Sequence, residues 1–323
     1  MSLRNYRDTP VLLIGYSRIN KLKILIDKLR KLEVKNVFVA LDFSINPEVT
    51  ACQSELVSEV ERTADTFATK VTFWRRTRNH GVGVSIVSAL DWFFQKNDYG
   101  IIIEDDLIFD LPFLEFCTET LFEYVSSNDV WMISGDRFDS SNCPEVVATN
   151  YPQIWGWASW RSKWKEMREA IVKEKRNRNI GLMNLPSIFF LAGALRVQVG
   201  IIDTWDLPLA FEMYTEKKLC ILPPVNLVSN IGLDDYATHT TDNQFPINYP
   251  IADLNELKLP SVKELNVTVK STNRFLENEI FRIRKRHYFS LAKCYWDIDW
   301  RNRNIDEWKS FEARLEKAER FHG

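Results

Sequence analysis

Three adjacent carboxylates, Glu104, Asp105 and Asp106, close the stretch GIIIEDD. The isoleucines read as a buried strand, so the acids stand at its carboxyl end. Like charges so close repel, and burying them unpaired costs several kcal/mol each. A hard dication such as Mg2+ or Mn2+ takes one or two carboxylates and completes its shell with phosphate oxygens and water. The triplet therefore suits a metal-diphosphate, and an acidic turn or helix cap is the structural alternative. Strand alternation puts Glu104 and Asp106 on one side and turns Asp105 to the other. A further acid, Asp206, follows Trp205 in DTWDLPLAFE. An indole beside a carboxylate desolvates it and makes it more basic, which suits a group that must take a proton from a hydroxyl. Asp203 and Asp206 also fit as caps of the helix LPLAFEMYTEKK, with Pro208 near its start.

The elements that must carry these groups are legible upstream. PVLLIGYSR (10–18) reads as a buried strand that breaks at Gly15, and residues 20–32 carry leucine and isoleucine at helical spacing, with Asn20 as N-cap. A second strand, 35–42, ends in Asp42; a helix led by Pro47 runs to Val60. KVTFWRR is a third strand, a helix opens after Gly81, and YGIIIEDD is the fourth strand. Such alternation predicts a parallel sheet covered by helices on both faces. Ligands of these sheets bind beyond the carboxyl ends of the strands, where Arg18, Asp42, His80 and residues 104–106 all fall. Each of the first three, taken alone, reads as a surface, turn or cap residue.

Beyond residue 110 the alternation weakens. DVWMISG is a fifth strand, YPQIWGWASWRSKWKEM is looped before turning helical, and KEKRNRN is a solvated loop. Trp155, Gly156 and Trp157 are assigned to a surface that could stack on a sugar, whereas Trp160 and Trp164 are left to the core, although 157, 160 and 164 are spaced for one helical face. The cluster RIRKRH (282–287) reads as a solvated helix face. One domain over residues 1–250 and a helical extension over 251–323 are expected.

The chain has 323 residues with 45% hydrophobic content, and its 42 basic and 44 acidic residues leave a net charge of −2. That balance excludes an electrostatic case for nucleic acid as partner. Five scattered cysteines, odd in number and without a CxxC pair, point to reduced thiols in a cytoplasmic setting. No apolar run is long enough for a membrane span, and no secretory leader is visible; a peripheral place at the inner face of a membrane remains compatible.

The ordered set PVLLIGYSR, EDD, YPQIWGWASW, DTWDLPLAFE and DDYATHT, spread over residues 10–242, resembles nucleotide-sugar glycosyltransferases of the GT-A fold. It is similar in particular to the eukaryotic N-acetylglucosaminyltransferases that initiate complex N-glycans and to related bacterial sugar transferases. The resemblance implies an α/β fold with a mostly parallel, Rossmann-like sheet, and transfer of a sugar from a nucleotide diphosphate to an acceptor hydroxyl with inversion. It implies that Gly15, Arg18, Asp42, His80, Glu104 and Asp105 bind the nucleotide sugar, that Asp106 binds Mn2+ or Mg2+, and that Asp206 is the base. His239 would touch metal or diphosphate, a structural histidine being the other reading. Trp155, Gly156, Trp157 and Trp205 would face the acceptor, a glycan, polysaccharide or lipid-linked sugar. The resemblance favours UDP; Asp42 can accept an imide N–H, which uracil shares with guanine and thymine and which adenine lacks. Two rival readings stay open: a sugar-1-phosphate nucleotidyltransferase, whose glycine-rich start is missing from GYSRINK, and a non-catalytic carbohydrate-binding homologue, for which the acids would be dispensable.

Overall fold

Strand–helix alternation holds through the first hundred residues. The computed structural model describes residues 5–138, 145–175, 179, 181, 183–232, 259–304 and 311–319. β1 (Val11–Gly15), α1 (Ile19–Lys31), β2 (Asn36–Leu41), α2 (Pro47–Arg62), β3 (Lys70–Arg75), α3 (Val82–Lys96) and β4 (Tyr99–Glu104) follow the predicted order. α1 buries Leu22, Leu25, Ile26 and Leu29 of the stripe read from their spacing, and Ile19 before it, while Leu32 is the half-buried cap. Its cap position is Arg18 rather than Asn20, and Arg18 makes no side-chain capping bond. α2 is capped by Asn46, whose side chain accepts from the Glu48 N–H, with Pro47 opening the helix.

β5 (Leu107–Phe109), α4 (Leu111–Glu123), β6 (Val130–Ser134), β7 (Val147–Thr149), β8 (Trp157–Trp160), α5 (Arg161–Val172), α6 (Leu185–Gln198), α7 (Asp206–Thr215), β9 (Leu219–Leu222) and β10 (Val228–Asn230) complete the body. The main sheet has the order β3-β2-β1-β4-β8-β6-β9-β7, and β10 pairs with β5 in a separate antiparallel ribbon. Neighbours β3, β2, β1 and β4 are parallel, as are β6 and β9, whereas β8 and β7 run against their partners. The sheet is thus mostly parallel, as expected. β8 was not anticipated. Its four residues, WASW, are apolar or small with no polar alternation, because both faces are buried between β4 and β6.

Successive strand residues feed two cores, as a period of two requires. Val11, Leu13, Ile101 and Ile103 pack with the stripe of α1 and with Phe113 and Cys117 of α4. Leu12 and Ile102 pack with Val87, Leu90 and Phe93 of α3 and with Trp164 and Met167 of α5. Trp157 and Trp160 fall on opposite faces, one in each core, so their spacing is that of a strand and not of a shared helical face. Lys175, read as part of a solvated loop, is instead wholly buried and bonds Glu212 at 3.0 Å.

α8 (Val262–Phe275), α9 (His287–Asn304) and α10 (Phe311–Glu319) each pack on a different part of the sheet domain. The Thr268 hydroxyl accepts from the Ala148 N–H on β7, Cys294 of α9 lies on α6, and Phe311 of α10 is buried against α3. The boundary expected at residue 250 lies outside the described residues. Cys52, Cys117, Cys220 and Cys294 are unpaired. Among the described residues no helix is long and apolar enough to cross a membrane.

Candidate active site

From β1 the chain builds outward to β2 and β3, then returns to place β4 on the other flank of β1. This reversal opens a crevice beyond the carboxyl ends of β1 and β4, the place where open α/β sheets bind ligands. A cleft of about 580 Å3 lies there. It is lined by Gly15, Arg18, Asp42, Glu104, Asp105 and Asp106, and on the far wall by Trp155, Trp205 and Asp206. Residues distant in sequence therefore meet, as the strand-end argument required.

The acidic triplet departs from strand alternation. β4 ends at Glu104, and Asp105 and Asp106 occupy a turn before β5. Both turn acids meet the same guanidinium: Arg18 Nη1 lies 3.2 Å from Asp105 Oδ1 and 3.2 Å from Asp106 Oδ2, while Nη2 donates to the Gly232 carbonyl at 3.1 Å. Asp105 also accepts from the Tyr16 N–H. Burial raises the Asp105 carboxyl, opposed by Tyr16 and Arg18. Asp106 is likewise raised by burial and then by Asp105, with Arg18 opposing. Glu104 is pushed up to about 8, by burial first and then by Asp106, Asp105 and Asp206, against the pull of Arg18. Arg18, with a weaker pull from Lys21, thus leaves the acidic face undercompensated. Arg18 is the first answer to the charge problem of the triplet.

Asp42 lines the same cleft. Its carboxylate accepts from the Phe43 N–H at 2.8 Å and lies 3.8 Å from Arg76 Nε, whose guanidinium stacks over Trp74. Burial raises the Asp42 carboxyl, with Ser85, the Phe43 N–H and Arg76 opposing. Gln53 fixes the loop by donating to the Tyr16 and Asp42 carbonyls, both at 2.9 Å.

Across the cleft, Asp206 opens α7 and accepts from the Thr204 hydroxyl. Asp203, read as a cap of the same helix, serves another. It accepts from the Val82 N–H at 2.8 Å and the Gly83 N–H at 3.4 Å, closing the amino end of α3, and it pairs with Arg314 of α10 at 3.3 Å. Gly81 precedes α3 at φ +87°, and a Cβ there would stand 2.2 Å from Asp203 Oδ2. Only glycine fits both the backbone angle and the space.

Several expected acceptor residues are placed otherwise. Trp157 is 1% exposed and stacks on Trp205 with ring centroids 5.7 Å apart, so it is core and no stacking surface. Trp205 is 2% exposed and backs the cleft wall beside Asp206 rather than offering a face. Gly156 has φ +63°, and a Cβ there would press on Val228 and Phe113 at 3.0–3.1 Å; its place is set by packing. Trp155 is half-buried and lines the cleft, as does the more exposed Tyr16. His80 stands in the loop between the cleft residues Asn79 and Gly81 and is not itself in the lining. His239 lies outside the described residues. Trp160 and Trp164 are core, as expected.

Arg314 and Asp136 were missed, and Asp203 was read as a cap of α7 rather than of α3. Asp136 follows β6, is buried, and holds the Trp155 N–H; burial pushes its carboxyl up to about 8. Its position just past a strand end was the available signal. Arg314 had none, since its partner lies 111 residues away.

Among the described residues no group of three His, Cys, Asp or Glu side chains is arranged to enclose a metal ion. The donor set fits a different mode, a dication held by one or two carboxylates and completed by phosphate and water. Asp106 borders the cleft and Glu104 has surplus negative charge beside it, so a cation would offset the burial and the repulsion that raise both acids.

No protein-family model and no curated protein matches the chain. Among solved structures, HddC from Yersinia pseudotuberculosis is 13% identical with a TM-score of 0.31, over 48% of this chain and 77% of its own. A putative glucose-1-phosphate thymidylyltransferase from Bacillus anthracis is 11% identical at 0.38, over 69% and 89%. The inositol-1-phosphate CTP transferase from T. maritima is 8% identical at 0.39, over 70% and 89%. Likeness at this level does not fix an activity.

Proposed function

We propose that the chain is a metal-dependent transferase that moves a sugar from a nucleotide diphosphate, UDP by preference, to an acceptor hydroxyl with inversion, in the manner of GT-A glycosyltransferases. The observation that carries this reading is the pairing of the undercompensated Glu104–Asp106 turn with Asp206 across one cleft.

In this reading the base enters beside Asp42, which accepts the imide N–H; a hydrogen bond to a charged acceptor contributes ~1.5–3 kcal/mol. Arg18 orients Asp105 and Asp106 towards the diphosphate, and Glu104 holds the donor sugar. A Mg2+ or Mn2+ ion at Asp106 would neutralise charge on the departing diphosphate. Asp206 takes the proton of the acceptor hydroxyl at a carboxylate oxygen, with Trp205 behind it limiting water, while Trp155 borders the place of the acceptor, a glycan, polysaccharide or lipid-linked sugar.

The second reading is a sugar-1-phosphate nucleotidyltransferase, the class that the name of the Bacillus anthracis neighbour states. Against it stands the connection from β1 to α1, only Tyr16, Ser17 and Arg18, which has no glycine-rich loop to cradle a triphosphate. Incubation with UDP-sugars and Mn2+ against incubation with UTP and sugar-1-phosphates separates the two, by release of UDP or of pyrophosphate. Asp206→Asn should leave UDP binding and melting temperature near native and reduce transfer ~10²–10⁴-fold. A fully active variant removes the base assigned here.

A further inference from the structure

α9 carries three of its aromatic residues on the solvent side, while Tyr295 packs against the core. Tyr288, Phe289 and Trp296 are 49%, 80% and 72% exposed, while Leu291 and Cys294 of the same helix are buried towards α6. Seven residues separate Phe289 from Trp296, about two turns or ~10 Å along the axis, so both rings leave the helix on one face. Lys293 is exposed between them.

The segment FRIRKRHYFSLAKCYW (281–296) contains Arg282, Arg284, Lys285, Arg286 and Lys293 and no acid. Residues 282–286 are not a helix face but the turn that leads into α9, and all except Ile283 are exposed. Arg284 donates to the carbonyls of Ile283 at 3.0 Å and Asn278 at 3.2 Å, neutral acceptors that leave its charge uncompensated. None of Arg284, Lys285, Arg286 and Lys293 has a carboxylate partner among the described residues. Arg286 and Arg284 also help hold His287 below its ordinary value, after burial.

We propose that this face seats the protein on an anionic lipid bilayer. Cations beside exposed aromatic rings on one helix match the headgroup–acyl boundary, where rings enter and Lys and Arg meet phosphate. A second copy of the chain fits less well, since a two-fold contact would set this cationic face against itself. The proposal is independent of the chemistry assigned to the cleft.

The test is sedimentation of the full chain with vesicles of phosphatidylcholine alone and of equal parts phosphatidylcholine and phosphatidylglycerol, with and without added salt. Binding is expected only to the anionic vesicles and weaker in salt. The exposed-site variants Phe289→Ser/Trp296→Ser and Arg284→Gln/Lys285→Gln/Arg286→Gln should each lose most of it. For the charge variant the loss should reach ~100-fold, from about a factor of five per cation removed. Equal binding by native protein and both variants, or no binding to anionic vesicles, overturns the proposal. So does a native dimer that Phe289→Ser/Trp296→Ser converts to monomer, which would make the face a contact between copies.

Discussion

Replacing Glu104 by Gln keeps the shape of the side chain and removes its charge from the most crowded acidic point in the cleft. In the unfolded chain this carboxyl titrates near 4.5; in the folded protein burial, then Asp106, Asp105 and Asp206, push it up to about 8 against Arg18. The fold therefore prefers the protonated form. The stability this group contributes is complete below about pH 4.5 and is lost as pH rises towards 8. At ~1.4 kcal/mol per pH unit that interval corresponds to ~3–5 kcal/mol. Glu104→Gln should match the native protein near the bottom of the range and exceed it increasingly above. At pH ~7 the gain is ~3 kcal/mol, or roughly 5–10 °C in melting temperature for a chain of this size. Melting curves of both proteins, without metal or nucleotide, at intervals from about pH 4.5 to about pH 8.5 read the difference directly. A melting difference that stays constant across the range refutes the reasoning, because a charge-independent packing change has no such slope.

Two further outcomes follow from the cleft. Asp106→Ala should abolish Mn2+-dependent binding of UDP in calorimetric titration while the melting curve remains cooperative; unchanged affinity removes the metal role. Gly81→Ala should lower stability by ~1–3 kcal/mol for a side chain at φ +87°, and more if Asp203 is driven from the amino end of α3; a native melting temperature would show that the loop yields freely.

Local pattern was enough for the first half of the chain. Apolar strands alternating with amphipathic helices determine a parallel sheet, and in a parallel sheet every strand end points to the same edge, so Arg18, Asp42 and the 104–106 acids could be gathered before their contacts were known. Polar burial depends on partners that pattern does not display. The Arg18 bridge across Asp105 and Asp106, the capping of α3 by Asp203, and the reach of Arg314 from the C-terminal helix link segments 87 to 121 residues apart. The tryptophans divide in the same way. Their bulk and spacing placed Trp160 and Trp164 in the core, but Trp157 was lost to the acceptor wall because WASW is a strand only when β4 and β6 close around it. A short strand buried on both faces has no polar alternation to announce it, so its neighbours alone decide which face each side chain meets.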